Sequence, residues 1–218
     1  MTNLTLEELP NGIKLYQNEK GYKFTKDAID LAKFCKVKPS DSVLEMCAGC
    51  GIISFYLYGL SKFSKLYLNE IQKSFCEIIN KNIELNSMQT IANCIEGNLK
   101  DLSNKNFDKK LDVIICNPPY FKIDGHKINE EYSIAVARHE IEVTLEELVM
   151  KAKTLIKDKG KFYLVLPSSR LVEVITCLSN QGFEVKRLKF LTNGTKQVYL
   201  VLIESVFRAK TGVQVEFE

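Results

Sequence analysis

The sequence predicts a doubly wound α/β fold: a mostly parallel sheet with helices on both faces, ending in an antiparallel hairpin. Three observations carry this expectation. Short apolar runs alternate with stretches of helical periodicity between residues 43 and 182. One run, LDVIIC at 111–116, is almost wholly apolar, as a strand buried on both faces must be. The last two apolar runs are separated by TNGT, a hairpin signal.

Taken in order, VLEM (43–46) is the first strand, followed by a glycine-containing turn and a helix beginning in IISFYLYGL. KLYLNE (65–70) is the second strand. IQKSFCEIINKNIELN (71–86) places apolar residues at 71, 75, 78, 79, 83 and 85, mostly at helical spacing. TIANCIEGN (90–98) is the third strand and LDVIIC the fourth. TLEELVMKAKTLIKDKG (144–160) combines Thr144 as N-cap, Glu147 three residues on and Gly160 as the stop, which predicts a helix reaching Gly160. KFYLVLP (161–167) is the fifth strand, and SSRLVEVITCLSNQG (168–182) is a helix closed by Gly182. FEVKRLKFL (183–191) and KQVYLVLIESVF (196–207) complete a seven-stranded sheet as its antiparallel pair. Residues 1–30 are expected to form an N-terminal flap or helix, with the main domain at 31–218.

Composition excludes several classes. With 218 residues, 45% hydrophobic and 26% charged, the chain is neither disordered nor too small for a core. No apolar run approaches the roughly 18 residues of a membrane span, and the N-terminal residues do not resemble a signal peptide, so a cytoplasmic protein is expected, with a monomer favoured. The net charge of +3 carries little. Its distribution carries more: residues 14–38 hold seven lysines against Glu19, Asp27 and Asp30, interleaved with Tyr16, Tyr22 and Phe24. Such a stretch is either a solvated face or a contact for a polyanion. Seven cysteines, mostly within apolar runs, read as buried thiols. Cys47 and Cys50 form a C-x-x-C, but only His126 and His139 are available as histidine ligands, so no metal is expected.

In an open α/β sheet, ligands bind beyond the carboxyl ends of the strands. After the first strand stands E-M-C-A-G-C-G, with Glu45, Cys47, Gly49 and Gly51; glycines there let backbone approach a ligand closely. After the second stands Glu70, nineteen residues beyond Gly51, an acid suited to the two hydroxyls of a ribose. After the third stand Asn98 and Leu99; the amide suits the edge of an adenine. After the fourth stands Asn117-Pro118-Pro119-Tyr120. The two prolines end the strand, the Asn117 amide oxygen and the Pro118 carbonyl offer two acceptors for an exocyclic amine, and Tyr120 offers a face for stacking.

These motifs resemble the class I S-adenosylmethionine (SAM) dependent methyltransferases that act on amino nitrogens, over about residues 24–207. Cys47 stands where that family's usual E-x-G-x-G-x-G has its first glycine, and Asn98 stands where many members have aspartate. The resemblance implies a Rossmann-like methyltransferase domain. Glu45, Cys47, Gly49, Gly51, Glu70, Asn98, Leu99 and Asn117 would bind SAM, and Asn117, Pro118, Pro119 and Tyr120 would form the catalytic edge. Two further segments, FTKDAIDLAKF (24–34) and ARHE (137–140), resemble the bacterial tRNA(Val) adenine-N6 methyltransferases, which modify the adenosine at position 37. That likeness implies a tRNA substrate, with Lys14, Lys20, Lys23 and Lys26 and with Arg138 and His139 as contacts.

The expected chemistry is direct transfer without metal or covalent intermediate. Asn117 and the Pro118 carbonyl would hold the amine's hydrogens and stabilise charge developing on nitrogen, while Tyr120 holds the base in line. Other acceptors stay open: DNA adenine, the guanine N2 amine of ribosomal RNA or a protein glutamine. So do two other classes. One is an RNA-binding protein with a vestigial SAM site. The other is a dinucleotide oxidoreductase, disfavoured by Ser54 where a third fingerprint glycine would stand.

Overall fold

The computed structural model of the chain describes residues 4–18, 26–118, 143–193 and 196–217. In chain order the elements are β1 (Leu4–Glu8), β2 (Lys14–Asn18), α1 (Lys26–Phe34), β3 (Ser42–Met46) and α2 (Ile52–Leu60). There follow β4 (Lys65–Glu70), α3 (Lys73–Leu85), β5 (Ala92–Glu96), β6 (Leu111–Cys116) and α4 (Leu145–Leu155). The last are β7 (Ile156–Pro167), α5 (Leu171–Asn180), β8 (Phe183–Thr192), β9 (Val198–Phe207) and β10 (Gln214–Phe217). Eight strands form the main sheet in the order β10-β8-β9-β7-β6-β3-β4-β5. β3 to β7 are mutually parallel, and β9 inserts antiparallel to both β7 and β8. The fold is therefore the expected doubly wound α/β sheet, with one strand more than the seven predicted. The eighth, β10, runs parallel to β8 at the edge. Its sequence, QVEF, is too short and too polar to stand out as an apolar run.

Two buried layers sandwich the sheet. One holds α1, α2 and α3 residues such as Leu31, Phe55 and Ile79 against Val43, Leu68 and Ile115. The other holds α4 and α5 residues such as Val149 and Leu178 against Leu44, Ile114 and Phe162. Every residue of β3 and of β6 is buried, which explains why their sequences lack strand alternation.

Three expectations need correction. Residues 4–18 form neither a flap nor a helix but an antiparallel hairpin, whose turn is closed by Leu9 N–H to Ile13 O at 2.8 Å and Gly12 N–H to Leu9 O at 2.9 Å. Leu9 and Leu15 are buried in the first layer, so the hairpin shares the main core. The boundary drawn at 30/31 falls inside α1. The third concerns Gly160. The N-terminal capping box of α4 forms as predicted, with Glu147 N–H donating to Thr144 Oγ1 at 3.2 Å and Thr144 N–H to Glu147 Oε2 at 2.9 Å. The helix nevertheless stops at Leu155, because the buried Ile156 pairs with Leu111 of β6. Residues 157–160 then bulge out before Lys161 pairs with Val113. Gly160 lies in that bulge, where an added Cβ would stand 2.5 Å from Ile156 Cγ1.

Buried polar groups tie distant parts together. Asp112 of β6 accepts from Ser42 N–H at 2.9 Å and pairs with Lys157 in the bulge. Arg187 of β8 donates to Glu204 Oε2 at 2.7 Å and to Phe34 O at 2.5 Å, its guanidinium 4.1 Å from the Phe34 ring centre. Tyr163 donates to the same Glu204 oxygen at 3.1 Å and accepts from Lys36 N–H at 3.0 Å. These bonds satisfy groups that would otherwise be costly to bury, and they fasten the end of α1 to the sheet.

Candidate functional site

Parallel strands deliver their carboxyl ends to one edge, and Met46, Glu70, Glu96 and Cys116 mark the ends of β3, β4, β5 and β6 there. Met46 and Cys116 are partners in the β3–β6 ladder, so the segment after Met46 and the one after Cys116 lie side by side. The sequence separates them by 70 positions; the sheet makes them neighbours.

The loop from 47 to 51 turns through three residues with left-handed backbone: Cys47 (φ 56°), Gly49 (φ 56°) and Gly51 (φ 83°). Ala48 N–H donates to Asn69 O at 3.0 Å and Gly51 N–H to Ala48 O at 2.8 Å. Gly49 N–H donates to Glu70 Oε2 at 2.8 Å. The two glycines serve different purposes. A Cβ on Gly51 would stand 2.7 Å from Phe55 and 2.8 Å from Leu68, so Gly51 lets α2 pack against β4. A Cβ on Gly49 would meet nothing within 4 Å, so Gly49 faces open space beside Glu70.

Glu70 is nearly buried at the tip of β4, and its second oxygen accepts from Gln72 N–H at 2.9 Å. Burial raises its pKa, against the opposing pull of those amide bonds. Glu45 lies behind the loop, fully buried, and accepts from Ser54 N–H at 2.9 Å in the first turn of α2. Burial raises its pKa to about 7; hydrogen bonds from Ser54 oppose the shift, and the Glu70 carboxylate adds to it.

At the end of β5, Asn98 Oδ1 accepts from Lys100 N–H at 3.0 Å and so caps a short turn over Leu99–Asp101, with Leu99 buried beneath it. One lone pair of the Asn98 oxygen is thus used by its own turn. Asn69, one residue before Glu70, donates to Ile95 O at 3.1 Å and Gly97 O at 2.9 Å and holds the tips of β4 and β5 together. Reading strand tips alone overlooked Asn69 and Ser54. A buried amide inside the apolar run KLYLNE was the available signal for Asn69.

Asn117 is half-buried and Pro118 buried at the end of β6, next to the 47–51 loop. Pro119, Tyr120, Arg138 and His139 lie outside the described residues, as do Lys20 and Lys23. Lys14 pairs with Glu8 at 3.6 Å, and its backbone N–H donates to Asn86 at the far end of α3. Lys26 pairs with Asp30 at 3.9 Å in α1. The two described lysines of the predicted cluster therefore stand on separate elements.

The C-x-x-C thiols part company. Cys50 is buried in the layer of α1–α3, where burial pushes its thiol up to about 12. Cys47 packs against the opposite layer, beside the buried Cys116. Among the described residues no three His, Cys, Asp or Glu side chains gather in a way that could hold a metal ion, and no helix is long and apolar enough to cross a membrane.

The profile of the methyltransferase small domain family matches residues 24–184. A release factor glutamine methyltransferase of Mycoplasma mycoides is 29% identical over 142 residues, covering 62% of this chain and 49% of its own length. A tRNA1(Val) (adenine(37)-N6)-methyltransferase of Shewanella woodyi is 26% identical over 158 residues, covering 71% of this chain and 64% of its own length. The match thus spans about half to two thirds of these relatives. Among solved structures, Methanocaldococcus jannaschii Trm5 in complex with adenosine superposes with a TM-score of 0.70 at 18% identity, covering 96% of this chain and 57% of its own, a likeness of fold.

Proposed function

From the premise that the chain belongs to the methyltransferase small domain family, we propose that it uses SAM to methylate the exocyclic N6 amine of an adenine in tRNA, with adenosine 37 of tRNA(Val) as the target. One observation carries this reading. The Asn117-Pro118 end of β6 adjoins the glycine loop and Glu70, which supports assigning its two carbonyl oxygens to an amine held beside the cofactor edge.

The residues present fit SAM. Gly49 opens onto free space, and Glu70 beside it is an acid suited to the hydroxyls of a ribose. When bound, SAM supplies a methyl group activated by a positively charged sulfur. Asn117 Oδ1 and the Pro118 carbonyl accept the two hydrogens of the adenine amine and favour the charge that develops on its nitrogen. Tyr120 stacks on the extruded base and holds it in line. No dedicated base is needed, since the proton is released to water. The relatives named tRNA1(Val) (adenine(37)-N6)-methyltransferase support the choice of acceptor, the Aliivibrio salmonicida protein covering 86% of this chain at 25% identity.

A second reading, methylation of a protein glutamine, is favoured by the Mycoplasma relative. Incubation with radiolabelled SAM and, separately, total tRNA, DNA and release factor decides between them. Label in tRNA that digests to N6-methyladenosine supports the proposal; label only in protein replaces it with the second reading.

A further inference from the structure

We propose that Asn82 is a positioning residue that couples the N-terminal hairpin to the 47–51 loop, so that hairpin docking and SAM binding form one linked equilibrium; this rests on the SAM reading above. Asn82 lies on the inner face of α3 and has no exposed surface. Its Oδ1 accepts from Tyr16 N–H at 2.7 Å. Its Nδ2 donates to Tyr16 O at 3.0 Å and to Cys50 O at 3.1 Å. Both amide hydrogens are therefore used, one on the hairpin and one on the loop.

Asn86, one turn further along α3, provides an internal contrast. It accepts from Lys14 N–H at 3.2 Å and donates to Lys14 O at 2.7 Å. The two asparagines thus act as a short ladder for alternate residues of β2, whose other edge pairs with β1. The second hydrogen of Asn86 returns to its own helix, at Asn82 O. That of Asn82 reaches the loop. Cys50 stands between Gly49 and Gly51, both left-handed, so the direction of its carbonyl orients the peptide plane between Cys50 and Gly51. The same stretch sends Gly49 N–H to Glu70. Lys14 at Asn86 and Tyr16 at Asn82 also show that β2 runs antiparallel to α3, toward the carboxyl edge of the sheet. A ligand that orders the loop therefore steadies the hairpin, and by linkage a contact that orders the hairpin strengthens SAM binding.

The test uses the full chain. Asn82→Asp keeps the acceptor for Tyr16 N–H and turns both donor positions into an oxygen facing two carbonyls. Asn86, together with Asn11, which donates to Tyr56 O at 2.9 Å, still fastens the hairpin in that variant. SAM affinity is read by calorimetry and amide hydrogen exchange by NMR. The proposal expects Asn82→Asp to weaken SAM binding about tenfold and to speed exchange at both Gly51 and Tyr16. In the wild type, SAM should slow exchange across residues 14–18, and Asn82→Asp should abolish that response. Asn86→Ala should speed exchange at Lys14 yet leave SAM affinity within about twofold. Wild-type SAM affinity in Asn82→Asp overturns the proposal, as does an equal loss in Asn86→Ala. If the wild type itself binds no SAM, the cofactor reading fails instead. The ligand-free exchange comparison then still decides the coupling, because faster exchange at Tyr16 with none at Gly51 overturns it. Should Asn82→Asp not fold, Asn82→Ser carries the same comparison.

Discussion

Cys47 holds a backbone conformation that glycine adopts freely and other residues do not (φ 56°). Such a residue costs on the order of 1 kcal/mol. Cys47→Gly should therefore raise stability by about that amount in denaturant unfolding while leaving SAM affinity within a few-fold; a loss of stability would mean that the thiol contact with Cys116 outweighs the strain. Glu45 makes a pH-dependent prediction. Its folded-state pKa of about 7 lies above the ordinary carboxylate value of 4.5. Between those values the folded state holds a proton that the unfolded state has lost. The stability contribution of Glu45 is therefore full below pH 4.5 and declines as pH rises through 7, by up to about 3 kcal/mol. Glu45→Gln should gain stability relative to the wild type between pH 5 and pH 8, and a difference that stays flat across that range refutes the shift. At the proposed catalytic edge, Asn117→Ala should lower methyl transfer at least about 100-fold with SAM affinity nearly unchanged, since loss of a transition-state acceptor costs about 2.7–4 kcal/mol. Steady-state turnover and calorimetry on one preparation separate the two. That the loop and Glu70 lie together was legible in the sequence because both follow the carboxyl ends of strands, which a parallel sheet gathers at one edge. Ser54, Asn69 and Asn82 were not, because their partners lie on elements that only the folded sheet brings near.

Elements show where local signals yield to tertiary ones. The capping box at Thr144 and Glu147 is local, and it formed as the sequence predicts. The far end of α4 was misread, because DKG resembles a helix stop only until Leu111 claims Ile156 as a ladder partner. Gly160→Ala tests this directly. The added methyl meets Ile156 Cγ1 at 2.5 Å and Lys157 O at 3.0 Å, so the bulge must shift. A loss of about 1–3 kcal/mol is expected in chemical unfolding, with SAM affinity unchanged. A helix-stop glycine in the left-handed region would show a similar loss, but Gly160 is not among the residues with positive φ. Continuously apolar strands such as β6 were easy to recognise, whereas β10 became a strand only through the parallel edge that β8 offers it.

For the whole molecule, the docking of a polyanion is the open electrostatic question. Replacing Lys14, Lys20, Lys23 and Lys26 together with alanine should weaken tRNA binding and reduce its salt slope by about 0.7–0.9 per lost phosphate contact. Lys14→Ala alone should leave the slope intact, because Lys14 sits at the end of β2 nearest Asn86, away from the carboxyl edge. Affinities measured from low to moderate salt check both statements, and an unchanged slope in the fourfold variant assigns docking to another face. The order of the sheet has a different consequence, one of timing. β9 is made after β8 yet lies between β8 and β7. Until residues 198–207 leave the ribosome, β8 has no neighbour to join and the growing edge at β7 stays uncovered. Arg187 likewise waits for Glu204 while already sought by Phe34, 153 residues earlier. Synthesis therefore holds this sheet open almost to its last strand, and a nascent chain stalled before residue 198 should be captured by chaperones that a chain released beyond residue 207 escapes.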